Sequence, residues 1–278
     1  DRLRSRGLGD VYKRQIFYSS TYNGNTLKIA ESMAAVLSAD LLSIEADIFN
    51  IDLSKYDLIG FGSAIHFAEH NIRLQRFVSA LPLQEKHVFI FSTRCSPLLG
   101  GYHKALKGIL KQQKANLVGE FSCVGFDRTG PWVLINGYNK NRPDAKDLFK
   151  ARLFAEKLQQ KLNPLSSIAK ETITEYRHGV AFRLKGENRI AGRKVIFLNT
   201  TSCIQCGKCI KVCPMNIFRK IGAILPVNDE DCIQCKLCAK NCPTSSIYIN
   251  ESFANGMRIA LREMFSTKLQ NRYKSKTE

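Results

Sequence analysis

The chain reads as an α/β protein: a doubly wound parallel sheet followed by a small α+β unit. Three observations lead there. Short β-prone runs alternate with stretches of helical apolar spacing up to about residue 162, the pattern of parallel strands with helices between them. A polar, hydroxyl-rich loop separates the first run from the first helical stretch. Further on, between Cys203 and Pro243, one cysteine pattern occurs twice.

The first strand is expected over 16–19, opening with Ile16, Phe17 and Tyr18. After Ser20-Thr21-Tyr22-Asn23-Gly24-Asn25-Thr26, the residues Leu27, Ile29, Ala30, Met33, Ala34 and Leu37 recur at helical spacing. Asn25 or Thr26 is placed to cap that helix. Such a loop can wrap a phosphate with hydroxyls and backbone N–H groups, helped by the helix N-terminus. It lacks G-x-x-x-x-G-K-S/T, so a nucleoside-triphosphate P-loop is not supported, and it lacks G-x-G-x-x-G, which counts against a dinucleotide site. Further strands are expected at 41–45, at 57–61 (ending at Gly62-Ser63), at 87–92 and at 116–125. Helices fit 72–80, 102–113 and 145–162, the second with Leu106, Ile109 and Leu110 on one face.

The loop Thr21-Tyr22-Asn23-Gly24-Asn25-Thr26 resembles the flavodoxin phosphate loop, whose usual form is S/T-x-T-G-x-T. Asn23 stands where Thr is usual, and its amide still donates and accepts hydrogen bonds. The resemblance covers 16–162 and implies a flavodoxin-like five-stranded sheet in the order 2-1-3-4-5, with FMN at the carboxyl ends of strands 1, 3 and 4. It implies FMN contacts from Ser20, Thr21, Tyr22, Asn23, Gly24, Asn25 and Thr26. It also implies contacts from Ala64, Ile65, His66 and Phe67 after strand three, and from Thr93, Arg94 and Cys95 after strand four. Ile65, Phe67 and Tyr102 are candidates for covering the flavin ring, packing being the alternative for each. Arg94 lies near the flavin's anionic edge or is solvated. His66 and His103 read as polar loop residues rather than proton donors. Trp132 caps the site or anchors its loop, and Cys123 reads as a core-strand residue.

Asn163-Pro164 ends the last helix, and 163–193 reads as a linker with one short helix at most. The doubled run then begins: Cys203, Cys206, Cys209 and Cys213-Pro214, followed by Cys232, Cys235, Cys238 and Cys242-Pro243, with Cys-Ile-Gln-Cys repeated verbatim. Three thiolates on one tight loop suit three corners of an iron–sulfur cube, and the fourth Cys of each run sits too far along to close its own cage. One cluster therefore takes Cys203, Cys206, Cys209 and Cys242; the other takes Cys232, Cys235, Cys238 and Cys213. Structural zinc prefers spaced pairs of ligands, and a disulfide framework belongs to secreted chains. At these residues the chain resembles the bacterial two-cluster 4Fe-4S ferredoxins, over 194–250. The tail, 251–278, is basic, with Met257, Leu261, Met264 and Phe265 on one helical face. That face is expected to dock on the protein's own surface, a membrane or a partner being the alternatives.

The formal charge is +18. Residues 1–15 read as a non-native leader, because Asp-Val-Tyr-Lys-Arg-Gln at 10–15 is the in-frame translation of a sequencing-library adapter. Without that leader, and with two oxidised clusters and an FMN phosphate, the charge is nearer about +9. The basic residues are not interleaved with aromatics in a nucleic-acid-reading pattern, so an acidic redox partner is the better match. No apolar run is long enough to span a bilayer, and ten cysteines suit a reducing cytoplasm. Taken together, the two resemblances point to a flavodoxin–ferredoxin fusion that transfers electrons between two 4Fe-4S clusters and FMN, within one chain or between the chains of a dimer. Two alternatives stay open: a ferredoxin-dependent flavin reductase for a small organic acceptor, and a flavin-free docking module that carries a ferredoxin.

Overall fold

The computed structural model of the chain describes residues 13–46, 51–67, 69–95, 99–129, 132, 136–162, 172–175, 180–181 and 195–249. Its main sheet holds β1 (Arg14–Ser19), β2 (Asp40–Ser43), β3 (Leu58–His66), β4 (His87–Arg94), β5 (Asn116–Val124) and β6 (Ile173–Glu175). All six run parallel, in the order 2-1-3-4-5-6. The doubly wound order is the expected one, with one strand more. That strand comes from the stretch read as linker: β5 would otherwise present an open edge, and Ile173–Glu175 pairs with it. Thr172 Oγ1 donates to Leu117 O (3.0 Å), and Ile173 packs against the core.

Two other boundaries differ from the sequence reading. β1 begins at Arg14, inside the segment read as leader; Arg14 and Gln15 pair with Leu58 and Ile59, and Gln15 Nε2 donates to Asp40 O (3.1 Å). Ladder pairing asks only for backbone N–H and C=O groups, so the strand continues past the apolar run that announced it. β3 runs on through His66 and turns back at Glu69–His70, which pairs antiparallel with its end.

Strand alternation sorts the core onto two faces. Ile16, Phe89, Phe91 and Phe121 meet α1 (Asn25–Leu37) and α4 (Ala145–Leu162) on one side. Phe17, Ile59, Val88 and Ile90 meet α2 (Ile72–Ser79) and α3 (Lys104–Gln112) on the other. Cys123 is in the first of these cores, 5% exposed, as a core-strand residue should be. Gly60 and Gly62 of β3 lie directly beneath the rings of their cross-strand partners Phe89 and Phe91. A Cβ at either glycine would overlap the ring above it.

The second unit closes on itself through β7 (Ile196–Leu198) and β10 (Ile247–Ile249), paired antiparallel. Between them, α5 (Lys208–Val212) and α6 (Leu237–Lys240) flank a hairpin of β8 (Phe218–Ile221) and β9 (Ala223–Pro226). Met215, Ile217, Phe218, Ile224, Ile233 and Ile247 form its core together with the cysteines. Among the described residues no helix is long and apolar enough to cross a membrane. The tail helix expected over 251–278 lies outside the described residues.

Replacing Gly60 by Ala is expected to cost about 1–3 kcal/mol, the usual range for overpacking. Adding Phe89→Leu should recover part of the loss. Urea-unfolding midpoints of the single and double variants measure that coupling; strictly additive losses would contradict the contact.

Candidate functional site

The carboxyl ends of β1, β3, β4 and β5 surround a cleft open to solvent. Twelve of the fourteen residues expected at the flavin line it: Ser20, Thr21, Tyr22, Asn23, Asn25, Thr26, Ala64, Ile65, His66, Thr93, Arg94 and Cys95. Gly24 and Phe67 do not. Gly24 instead makes the turn into α1 at φ 69°, a conformation glycine adopts without strain. Phe67 lines a second crevice, against Cys232 and Ile233. Tyr102, a candidate ring cover, is wholly buried under the Arg94 guanidinium and edge-on to His103. Trp132 stacks on Tyr138 (4.6 Å between ring centroids) and anchors its loop rather than lining the cleft.

The sequence reading missed the loop after β5, whose Gly125, Phe126, Asp127 and Thr129 complete the wall. Phe126 O accepts from both Asn23 Nδ2 (2.9 Å) and Asn25 Nδ2 (2.7 Å). Asn23, the departure from the usual Thr, thus ties the phosphate-loop segment to the loop after β5. The only signal for that loop was Gly125 at the end of a strand. Its importance comes from close approach, since a Cβ there would sit 3.0 Å from Asn25 Nδ2.

Gly24 at the amino end of α1 offers no side-chain cap, and the first turn has no acidic residue, which leaves the positive helix end for an anion. Ser20 Oγ accepts from Leu27 N (3.1 Å), and Thr26 Oγ1 meets Thr93 Oγ1 at 3.0 Å. Arg94 is buried rather than solvated, 7% exposed, and its Nε has no partner. An orphaned guanidinium N–H in a wall beside an uncapped helix fits an anionic ligand such as FMN. Cys95 is a poor nucleophile: burial first, and Asp127 second, push its thiol pKa well up.

Behind Arg94 runs a buried chain of polar groups. Arg94 Nη1 donates to Ser122 Oγ (3.2 Å), which meets Ser92 Oγ (2.8 Å), which meets His103 Nε2 (2.8 Å). His103 Nδ1 lies 3.1 Å from Glu120 Oε2, and the Lys107 ammonium donates to Glu120 Oε1. Burial by itself would raise the Glu120 carboxyl, but hydrogen bonds from His103 and Lys107 outweigh it and hold it low. An ionised Glu120 only accepts, so neutral His103 carries its proton on Nδ1, and Ser92 donates to Nε2. His103 is therefore a buried, hydrogen-bonded residue rather than the polar loop residue expected. His70, with its ring centroid 4.9 Å from that of His103, is likewise buried, its Nδ1 2.9 Å from Ser63 Oγ. Burial lowers the pKa of both imidazoles.

In the second unit the eight cysteines of the doubled run gather round two cavities. Cys203, Cys206, Cys209 and Cys242 line one; Cys213, Cys232, Cys235 and Cys238 line the other. Cys213 and Cys242 thus each stand with the triplet of the other run. Backbone N–H groups donate to three sulfurs: Ile217 to Cys213 (3.5 Å), Gln234 to Cys232 (3.4 Å) and Ser246 to Cys242 (3.3 Å). Such bonds favour thiolate ligands. Burial pushes the thiols of Cys232, Cys235 and Cys238 upward, so a metal taken up there releases protons. Among the described residues no group of three or more His, Cys, Asp or Glu side chains could hold a metal ion.

The two units meet at the mouth of the cleft. Arg73 Nε donates to Asp231 (3.1 Å) and its Nη1 to Glu45 (2.9 Å), while Nη2 reaches Met215 O. Arg76 pairs with Asp231 (2.9 Å) and Glu230. Thr21 Oγ1 lies 3.3 Å from Met215 Sδ. Tyr22 belongs to both sides: it lines the cleft and packs against the cysteine-bearing core. Burial first, then the Cys235 thiolate, raise its phenol pKa.

Comparison with known proteins finds relatives of both units. A family model described as a flavodoxin domain matches residues 15–119, and one described as a 4Fe-4S dicluster domain matches 195–243. An uncharacterized protein of Methanocaldococcus jannaschii is 39% identical over 147 residues, which are 52% of this chain and 97% of that protein. Among solved structures, a flavodoxin from the domain Archaea is 15% identical over 54% of this chain and 97% of its own, with a TM-score of 0.41. Flavodoxin 1 from Bacillus cereus is 16% identical over 54% and 99%, with a TM-score of 0.40.

The buried imidazoles set a pH dependence. An unfolded histidine gains its proton below about pH 6.5, whereas His70 and His103 resist protonation in the fold. Stability is therefore fully present above that pH and falls as the pH drops below it, by at most about 1.4 kcal/mol per pH unit for each histidine. Denaturant midpoints between pH 8 and 5 measure the slope, and His103→Gln should flatten it. An unchanged slope in that variant would contradict a neutral buried His103.

Proposed function

From the premise that this chain belongs to the flavodoxin–ferredoxin fusions, we propose that its electron-transfer role runs between an FMN in the cleft and two 4Fe-4S clusters in the cysteine cavities. The observation that carries the reading is the seam. Tyr22 is at once a wall of the flavin cleft and a neighbour of the cysteine-bearing core, so both candidate cofactor sites share one boundary. FMN, when bound, supplies one- and two-electron chemistry, and iron–sulfur clusters supply single-electron chemistry.

The protein's own part is binding, orientation and electrostatics. The uncapped end of α1 and the hydroxyls of Ser20, Thr21 and Thr26 would hold the phosphate. Arg94, held from behind by Ser122, would place a fixed positive charge in the cleft wall. Ala64, Ile65, His66 and Cys95 would border the ring. In the second unit, Cys203, Cys206, Cys209 and Cys242 would hold one cluster, and Cys213, Cys232, Cys235 and Cys238 the other. Redox proteins are the partners this reading calls for, acidic ones given the chain's positive balance.

Anaerobic purification followed by iron, sulfide and flavin analysis tests it. About eight irons and one FMN per chain are expected; zinc, or no flavin, would sink the corresponding half. Cys213→Ala should damage the cluster of the second triplet, seen as the loss of one of two electron-paramagnetic-resonance signals on reduction. Loss of only the other signal would refute the crossed ligation.

A further inference from the structure

The two cysteine runs contain the same tetrapeptide, yet the fold treats them differently. Ile204, in Cys203-Ile204-Gln205-Cys206, is 63% exposed; its counterpart Ile233 is 5% exposed. Gln234 is buried where Gln205 is half-buried, and Cys206 is exposed where Cys235 is not. Identical local sequence cannot produce this difference; the neighbouring unit does. His66, Phe67, Asn71 and Ile72 form a crevice with Glu230, Asp231, Cys232 and Ile233, so the second run is covered by the cleft-bearing domain. The first run faces away from it.

The charges are divided in the same way. From Val195 to Pro226 the chain has no Asp or Glu, and it carries Lys208, Lys211, Arg219 and Lys220, all exposed. The acids of the second half are already engaged. Glu230 and Asp231 pair with Arg73 and Arg76, and Asp229 Oδ2 accepts from Val195 N (2.7 Å) and Ile196 N (3.0 Å). Around the open run lie three exposed apolar side chains: Ile204, Ile221 (68%) and Leu225 (42%). The β8–β9 hairpin that bears the last two is bonded to the first cysteine loop through Ile224 N and Gln205 Oε1 (2.7 Å). The result is a group of exposed apolar side chains accompanied by exposed basic ones, beside the cavity of Cys203, Cys206, Cys209 and Cys242. An apolar core within a charged rim is the usual anatomy of a transient interface.

We propose that this face is the docking surface for an acidic redox protein, and that the other cysteine cavity is the one turned inward to the cleft. The inference rests on the electron-transfer reading above and assigns its outward port. Charge favours an acidic occupant over the chain's own tail, in which Arg258, Arg262, Lys268, Arg272, Lys274 and Lys276 outnumber Glu251, Glu263 and Glu278. It disfavours a second copy meeting the same face for the same reason.

The test uses the full-length holoprotein, with an acidic flavodoxin as probe and Lys208→Glu, Arg219→Glu and Lys220→Glu combined in one variant. The control variant reverses Lys111, Lys150 and Arg152, exposed on α3 and α4. Carbodiimide coupling between probe carboxylates and lysines, mapped by mass spectrometry, should fall on Lys208, Lys211 and Lys220. The rate at which one electron passes from the reduced protein to the oxidised probe should fall at least about tenfold in the port variant and lose its salt dependence. The control should keep both. Cross-links on the cleft-bearing domain, equal rates in both variants, or a dimer dissolved by the port substitutions would each overturn the assignment. Iron and FMN contents of the same samples separate that outcome from a failure of the electron-transfer reading, which missing cofactors would reveal on their own.

Discussion

Asp231 sets the terms on which the two units meet. Its carboxylate is 4% exposed and takes one bond from Arg73 and one from Arg76. A carboxylate taken so far out of water is tolerated only when paired and hydrogen-bonded. Both guanidinium groups come from α2, on the other side of the seam. Separating the units would leave Asp231, Arg73 and the Met215 carbonyl without these partners. The same pairing lays Ile233 against Phe67 and brings Met215 to Thr21. Tyr22, between the cleft and the cysteine core, is therefore held from both directions.

Beneath the cleft lies a second constraint. The hydrogen-bonded series from Arg94 through Ser122, Ser92 and His103 to Glu120 crosses a sheet that is otherwise packed with Phe and Ile. A polar series in such surroundings stabilises only if every member is satisfied. Here each group has a donor or acceptor, and the exposed ammonium of Lys107 supplies the compensating charge at the far end. Of the series only Arg94 Nε is left over, on a residue that lines the cleft. An unmet donor there is consistent with an anionic ligand completing the set.

Some of this could be read along the chain and some could not. The helix at 145–162 coincides with Ala145–Leu162, because long amphipathic periodicity is a strong signal. The phosphate-loop segment was legible for a similar reason: its polar residues are contiguous. The loop after β5 was not, since its role depends on Phe126 O meeting Asn23 and Asn25 about a hundred positions earlier. Tyr102 read as a candidate ring cover and His103 as a polar loop residue, but both are buried. Their burial arises from β4 and β5 closing over them, and no local pattern reports that. The strand Ile173–Glu175 was hidden in a stretch with few sustained apolar runs; three residues at a sheet edge need little hydrophobic signature.

By itself, then, the sequence determined most of the elements that form and the spacing that brings eight thiols into two sets of four. These follow from periodicity and from distances along the backbone, which are properties of neighbouring residues. Only the tertiary structure decided which of two identical Cys-Ile-Gln-Cys segments is covered and which is open, whether Arg94 is solvated or buried, and that the two units share Tyr22. Burial and charge pairing depend on what a distant segment brings against a surface, and that contact is made only when the chain has folded.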